Sequence, residues 1–522
     1  MSESATNNNK ICGRLCIEMT GRLASPLSVG SGEQEHTDAD VIVNAQGTPY
    51  IPGSTLAGAL REYANAVKGD AETNRLFGAP ESAVPGSGDD RQSRIFIYDA
   101  AIEQAETGVR DGVKLNERKT ASHMGKYELQ FVEQDAAVTF RIEILQRAER
   151  LEGTECLERS GHLEGTEKIK AIWKEDLQWI RLWVRGFNEG ELRLGAKSRR
   201  GYGKIQIERV RVKKFDMTNK TSYREWLDWD WDQGDTFAPL EWEEEQKEDS
   251  HENDVGRIES CLEVPLQIAG TLLVRTYNTA FARTADIPDY GQMTVGGKGE
   301  KATIPGSSWA GAFRSHIAKL VKEIGELKSW EEAQQTLEPV FGTWIDAQKP
   351  DTKKPGTEKN APELCASRVV FEETVIEGGH ALPTARIAVD RFTGGTVQGA
   401  LYEETLWTGG TIRLRVRWKK DSGEPTDQAV CGMLLWAIKD LQSGLLTVGG
   451  ETAVGRGICR PQEGDAGILL DGEPLEEARQ EACMQAAASW IQTEKKRKEK
   501  ARIERYLKEK EQNRRGQEDG TI

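Results

Sequence analysis

The sequence predicts an α+β protein built from two tandem copies of one module and closed by a helical tail. Two duplicated motifs predict it, and a looser third pair agrees. Residues 50–61 contain Ile51-Pro52-Gly53-Ser54 and run on to Arg61. Residues 303–314 contain Ile304-Pro305-Gly306-Ser307 and run on to Arg314. Their shared pattern, I-P-G-S-[ST]-x-A-G-A-x-R, returns at an offset of 253 residues, close to half of the 522-residue chain. The second pair is glycine-rich, at 194–204 and 448–457, and each copy leads into a strand-like stretch.

Taken in order, the Pro-Gly step of the first motif makes a turn, and Ser54 or Ser307 is expected to cap the helix that follows. The small residues after it let that helix lie close to a sheet. Arg61 and Arg314 fall on the helix, two turns from its start. Helix capping alone also explains the motif.

The loop pair reads differently in its two copies. Gly195, Gly201 and Gly203 in the first, and Gly449, Gly450, Gly455 and Gly457 in the second, let backbone approach a ligand. Successive N–H groups there can cradle an anion. The first copy adds Lys197, Arg199, Arg200 and Lys204, suited to a chain of phosphates. The second keeps only Arg456 and Arg460.

The third pair, 112–120 and 386–395, precedes strand-like stretches at 127–132 and 400–406. Both read as long β-hairpins with polar tips, and a plain sheet-edge hairpin is the alternative. The tips carry Arg118 and Lys119 in the first copy and Arg391 and Phe392 in the second.

These landmarks divide the chain into modules at 11–215 and 259–465, an acidic Trp-rich linker at 216–258 and a charged helical tail at 466–522. The length already calls for more than one core. Net charge is −15, but residues 225–254 hold 13 acidic side chains against one basic one, so little excess remains elsewhere. The tryptophans among those acids suit docking on a partner protein or packing as a linker. The tail reads as a solvated helix or as a contact for RNA or a neighbouring subunit. No apolar run is long enough to span a bilayer, and the polar N-terminus lacks a signal peptide's apolar stretch, which predicts a cytoplasmic protein. Eight cysteines form no C-x-x-C pair, and the six histidines show no ligand spacing.

Together these elements resemble the RAMP superfamily of CRISPR-associated proteins, whose hallmarks are the I-P-G-S helix start and the late glycine loop. Val389 to Gly395 resembles the thumb hairpin of type III backbone subunits, and two modules in one chain resemble the fused double-backbone subunit of subtype III-D. The resemblance implies RRM-like modules of ferredoxin-like topology that bind a guide crRNA. The motif serines and arginines and the glycine loops would contact RNA, and each thumb would splay a nucleotide of the guide–target duplex. It implies an endoribonuclease that cuts target RNA beside each thumb, using a loop aspartate ahead of the I-P-G-S motif and a divalent metal, Mg2+. Asp38, three residues before Val41, fits best in the first module, with Asp40 as alternative. Asp289 comes first in the second, with Asp286 as alternative. His36 could assist as acid or base. The implied partners are the guide, the target RNA, and other backbone, cap and large polymerase/cyclase-like subunits. Two further readings stay open: a crRNA-binding subunit without catalysis, and a guide-processing endoribonuclease relying on His36.

Overall fold

Strand β1 (Ile11–Leu23) opens the first module and forms the middle of its sheet. Leu15, Ile17 and Met19 alternate toward one face and are fully buried there. The computed structural model describes residues 10–518 apart from 33, 34, 36, 79–91, 148–164, 233–235, 241–256, 278–288, 297–300, 345–363 and 466. After β1 come helices α1 (Gly53–Lys68) and α2 (Asp70–Phe77), strand β2 (Ile95–Ile97), a hairpin of β3 (Thr107–Leu115) and β4 (Ala121–Val132), then β5 (Ala137–Arg147), α3 (Gly165–Glu189) and β6 (Ile205–Asp216). The core strands run antiparallel in the order β2–β5–β1–β6. Helices α1 and α3 close one face with Leu56, Leu60 and Tyr63 against Ile180, Trp183 and Phe187.

The second module repeats this plan. Its elements are β7 (Glu259–Ala269), α5 (Gly306–Ile324), β8 (Val369–Phe371), the hairpin β9 (His380–Val389) and β10 (Thr396–Thr408), β11 (Thr411–Lys419), α6 (Asp427–Ser443) and β12 (Ile458–Pro461), with α4 (Lys220–Asp228) lying between the modules. Strand order is β8–β11–β7–β12, again antiparallel. Even the register repeats: Glu18 faces Arg141 across β1–β5, and Glu263 faces Arg415 across β7–β11. Each module has its own apolar core. This is the ferredoxin-like βαββαβ plan with a hairpin inserted before its third strand, as the sequence predicts.

The motif serines do not cap their helices. Pro52 and Pro305 hold the cap positions without any side-chain cap bond, and Ser54 is exposed. Asp99, from a distant loop, accepts the Gly53 N–H at 2.7 Å instead. The glycine of each motif is required by space. A Cβ on Gly53 would sit 2.4 Å from the Ile97 carbonyl oxygen, and one on Gly306 would sit 2.2 Å from that of Phe371 and 2.4 Å from that of Arg200. Gly306→Ala is therefore expected to destabilise the chain by about 1–3 kcal/mol, read as a lower unfolding midpoint, since backbone on both sides must shift.

Arg61 and Arg314 have matching tasks inside their modules. Arg61 Nη2 donates to Asn74 Oδ1 (2.7 Å) and the Gly78 carbonyl (3.0 Å), binding α1 to the end of α2. Arg314 donates to Gln334 Oε1 and to the carbonyls of Phe341 and Gly342. In both, a guanidinium donates to backbone carbonyl oxygen at a helix end, one for Arg61 and two for Arg314.

The tail is partly core. Cys483, Ala487, Trp490 and Ile491 of α7 (Glu477–Glu518) pack into the second module. Gly432 of α6 makes this possible, since a Cβ there would lie 2.0 Å from the Cys483 carbonyl oxygen. Farther along, Lys498 Nζ donates to Thr336 Oγ1 at 2.6 Å. No helix among the described residues is long and apolar enough to cross a membrane.

The linker turns back onto the first module. Asn219 caps α4, and Trp226, Trp231 and Phe237 lie against Arg14, Tyr98 and Arg211 on the sheet face away from α1 and α3. Trp242 and the acidic run around it fall outside the described residues.

Candidate nucleic-acid interface

Both hairpins project from their sheets. The first turns at Asn116–Thr120, where Asn116 Oδ1 accepts the N–H groups of Arg118 and Thr120, leaving Arg118 and Lys119 exposed. The second turns at Asp390–Gly395, where Asp390 Oδ1 accepts from Phe392 and Thr393. Those bonds hold the Asp390 carboxyl below its usual range. They present Arg391 and a Phe392 that is 100% exposed.

The loop aspartates meet these hairpins in the same way. Asp38 Oδ2 accepts the backbone N–H of Glu128 on β4 at 2.8 Å. Asp289 Oδ2 accepts that of Glu403 on β10 at 3.1 Å. Both aspartates are exposed. Asp40 is buried, with its carboxylate accepting from the N–H groups of Glu35 and Thr37 and the Thr37 hydroxyl. It shapes the loop that presents Asp38. His36 and Asp286 lie outside the described residues.

The glycine loops share one conformation. Leu194 N–H donates to the Gly203 carbonyl, and Val448 N–H to that of Gly457. Gly195, Gly201 and Gly203 have positive φ, as do Gly449, Gly455 and Gly457. A Cβ on Gly203 would approach the Leu194 carbonyl oxygen to 1.8 Å, and one on Gly457 that of Val448 to 1.9 Å. Lys197 and Glu451 hold the same left-handed position, φ 55° in each.

Most of these glycines serve the loop's own closure, which corrects the expected anion cradle. Gly450 is the clearest case. Its N–H donates to the Leu273 carbonyl at 2.7 Å, so it is not open to a phosphate. Ala196, its counterpart in the first loop, donates to the Ser28 carbonyl at the same 2.7 Å. A Cβ on Gly450 would meet nothing closer than 3.5 Å, so neither space nor a ligand requires glycine there. Gly201, Gly203, Gly455 and Gly457 likewise donate their N–H groups to carbonyls of the chain. Five of the seven glycine N–H groups are thus taken within the chain.

Charge separates the two loops. In the first, Lys197 Nζ lies 4.0 Å from the centre of the Tyr127 ring, next to Glu128 and therefore beside Asp38. Burial, with repulsion from Arg200, pushes the Lys197 amine down to about 8. It is charged below that value and neutral above it. If it holds a phosphate, binding of a labelled single-stranded RNA should weaken as pH rises through about 8, and Lys197→Arg should remove that dependence in fluorescence anisotropy. Arg200 is exposed.

Arg199 and Lys204 have other partners. Arg199 Nη1 reaches Glu259 Oε1 at 2.9 Å and Lys204 Nζ reaches Glu372 Oε2 at 3.4 Å, both carboxylates belonging to the second module. Arg193 and Arg417 also bond Glu372, at 2.8 and 2.9 Å. Burial alone would raise the Glu372 carboxyl, but these cations hold it down to about 2. From the first hairpin, Arg110 forks onto Glu373 at 2.5 and 3.1 Å. The hairpin then runs over the second module, with Lys114 5.2 Å from the Trp344 ring and Glu117 3.2 Å from Lys322 Nζ. In the second loop, Arg456 is buried in ion pairs with Glu404 and Glu451, and Glu451 also bonds Arg275 and Arg386. Arg460 Nη1 donates to the Gln442 carbonyl.

Reading the sequence alone missed the hairpin bases, Tyr127-Glu128 and Tyr402-Glu403, although the repeated Tyr-Glu pair was a usable signal. It also missed Arg110 and Arg193, which nothing local marks.

Two ferredoxin-like modules, each with an aspartate held against a thumb hairpin and a glycine loop alongside, define a tandem RRM-like protein. The chain belongs to the RAMP superfamily, whose family model matches residues 21–206 and 292–460. Among solved structures, a chain of the type III-B Cmr-beta complex bound to cognate target RNA, determined by cryo-EM, is similar at 16% identity with a TM-score of 0.26. The match covers 38% of this chain and 61% of that one, so it spans less than two thirds of that relative. No curated protein matches.

Proposed function

We propose that this chain is a double backbone subunit of a type III CRISPR effector complex, resembling subtype III-D, that holds a guide crRNA and cuts the paired target RNA beside each thumb. The observation that supports this most is the repeated contact of Asp38 and Asp289 with the returning strand of their hairpins. A nucleotide splayed by the hairpin would lie near that carboxylate. Its 2′-OH could then attack the adjacent phosphate in line, leaving a 2′,3′-cyclic phosphate and a 5′-OH. Asp38 would accept the proton or orient the hydroxyl, because among the described residues its second oxygen has no partner. Lys197 and Arg200 would take guide phosphates.

Among the described residues no three His, Cys, Asp or Glu side chains gather around one point. Mg2+ enters this reading only as an ion brought in largely by RNA phosphates, and no step runs through it.

The test is copurification with the neighbouring CRISPR subunits, followed by sequencing of bound RNA and mapping of cuts in a complementary strand. Bound short RNAs and regularly spaced cuts are expected. An assembly free of nucleic acid would sink the reading. Binding without cuts would leave the non-catalytic subunit, and cutting of repeat RNA by the isolated chain would favour guide processing.

A further inference from the structure

The two modules meet head to tail: the glycine loop and thumb of the first sit on the sheet edge of the second. Such a contact can in principle repeat from chain to chain without end. The register of the modules shows what a repeat would bring together. Arg14 stands in the first module where Glu259 stands in the second, four residues ahead of the matched pair Glu18 and Glu263. Tyr98 follows β2 where Glu372 follows β8. On the other side of the contact, Arg193, Arg199 and Lys204 are replaced by Thr447, Ala453 and Ile458. Arg110, paired with Leu129 in the first hairpin, is replaced by Thr384, paired with Glu404 in the second.

Both halves of the junction are thus rewritten at the chain's outer ends. The second module offers no cation at any of these four positions, and its Arg456 is spent internally on Glu404 and Glu451. The first module presents Arg14, already paired with Glu143, where a carboxylate would be needed. The linker also covers that patch. Trp226 lies 4.2 Å from the Arg14 guanidinium, and Trp231 packs edge-on against Tyr98 at 5.6 Å. On the first module, these aromatics occupy the place that the basic glycine loop takes on the second.

We propose that the junction is made once, within the chain, and that copies of this protein do not stack on one another through it. The charge code and the aromatic lid restrict any neighbour at either end to a different protein. This rests on the internal symmetry and would stand even if the RNA-cutting role failed.

Sedimentation velocity on the full chain without RNA tests it. Wild type is expected at the mass of one chain. One variant restores the cations with Thr447→Arg, Ala453→Arg and Ile458→Lys. Another restores the acceptor with Arg14→Glu and Tyr98→Glu and opens the lid with Trp226→Ala and Trp231→Ala. Each alone should stay single, and their mixture should double in mass. If the second variant does not fold, Tyr98→Glu with Trp231→Ala takes its place with the same outcomes. A concentration-dependent ladder for wild type would overturn the proposal, as would folded variants that remain single when mixed.

Discussion

Asp38→Ala is expected to lower cutting of target RNA beside the first thumb by about 10²–10⁴-fold, the range typical of a positioned acid–base group, with guide binding unchanged. The side chain is exposed, and the N–H it accepts at Glu128 can turn to water, so the fold should tolerate the loss. Asp289→Ala should silence the second position alone, and the double variant both. Asp38→Asn separates the two roles the carboxylate could have. It keeps an oxygen for the Glu128 N–H but cannot take a proton, so a base predicts Asn as inactive as Ala, while pure loop positioning predicts recovery. Gel mapping of end-labelled target with the assembled complex reads all of these. Undiminished cuts in the double variant would remove both aspartates from the chemistry. Asp40→Ala should act otherwise, by loosening the loop, because its carboxylate is buried among three donors.

Glu372→Gln should cost about 3–5 kcal/mol of stability, as expected when one partner is removed from a buried ion cluster. The amide preserves shape but takes the shared carboxylate from Arg193, Lys204 and Arg417, leaving Glu259, 3.9 Å from Arg417, as the remaining counter-charge named at this cluster. The Glu372 carboxyl is held below its ordinary value. Its contribution is therefore present above the unfolded-state value and disappears as pH falls toward about 2. The gap between wild type and variant in urea midpoints should be widest near neutrality and narrow in acid. An unchanged midpoint at neutral pH would show that the cluster adds nothing to holding the modules together.

What could be read from the chain depended on how local the cause was. The I-P-G-S helices, the glycine loops and the hairpins follow from turn chemistry and strand pattern within a dozen residues, and all appear in the structure. Asp38 and Asp289 lie in equivalent places against their hairpins, each ahead of a short apolar stretch. The serines misled, since a Ser after Pro-Gly looks like a cap while the helix in fact starts against another strand. Gly450 misled because a second glycine beside Gly449 looks like part of a nest, while its N–H is taken by Leu273, far back in the chain. The intramolecular partners of Arg61, Arg314, Arg199 and Lys204 were not legible for a related reason: the acceptors that hold them lie 13 to 168 positions away. The tail reads as charged because the residues it gives to the core, Cys483, Ala487, Trp490 and Ile491, all lie in the first half of α7. The tryptophans of the linker gave no sign of which surface they would meet.

The exchange of Lys197 for Glu451 at one shared backbone position has a consequence for how affinity responds to ionic strength. A strand held by lysine and arginine releases condensed counterions, so its binding weakens steeply as salt is added. A strand held by neutral contacts and shape releases few. If each loop grips its own stretch of guide, the leading half of this protein would loosen in concentrated salt while the trailing half kept hold, making the second module the anchor.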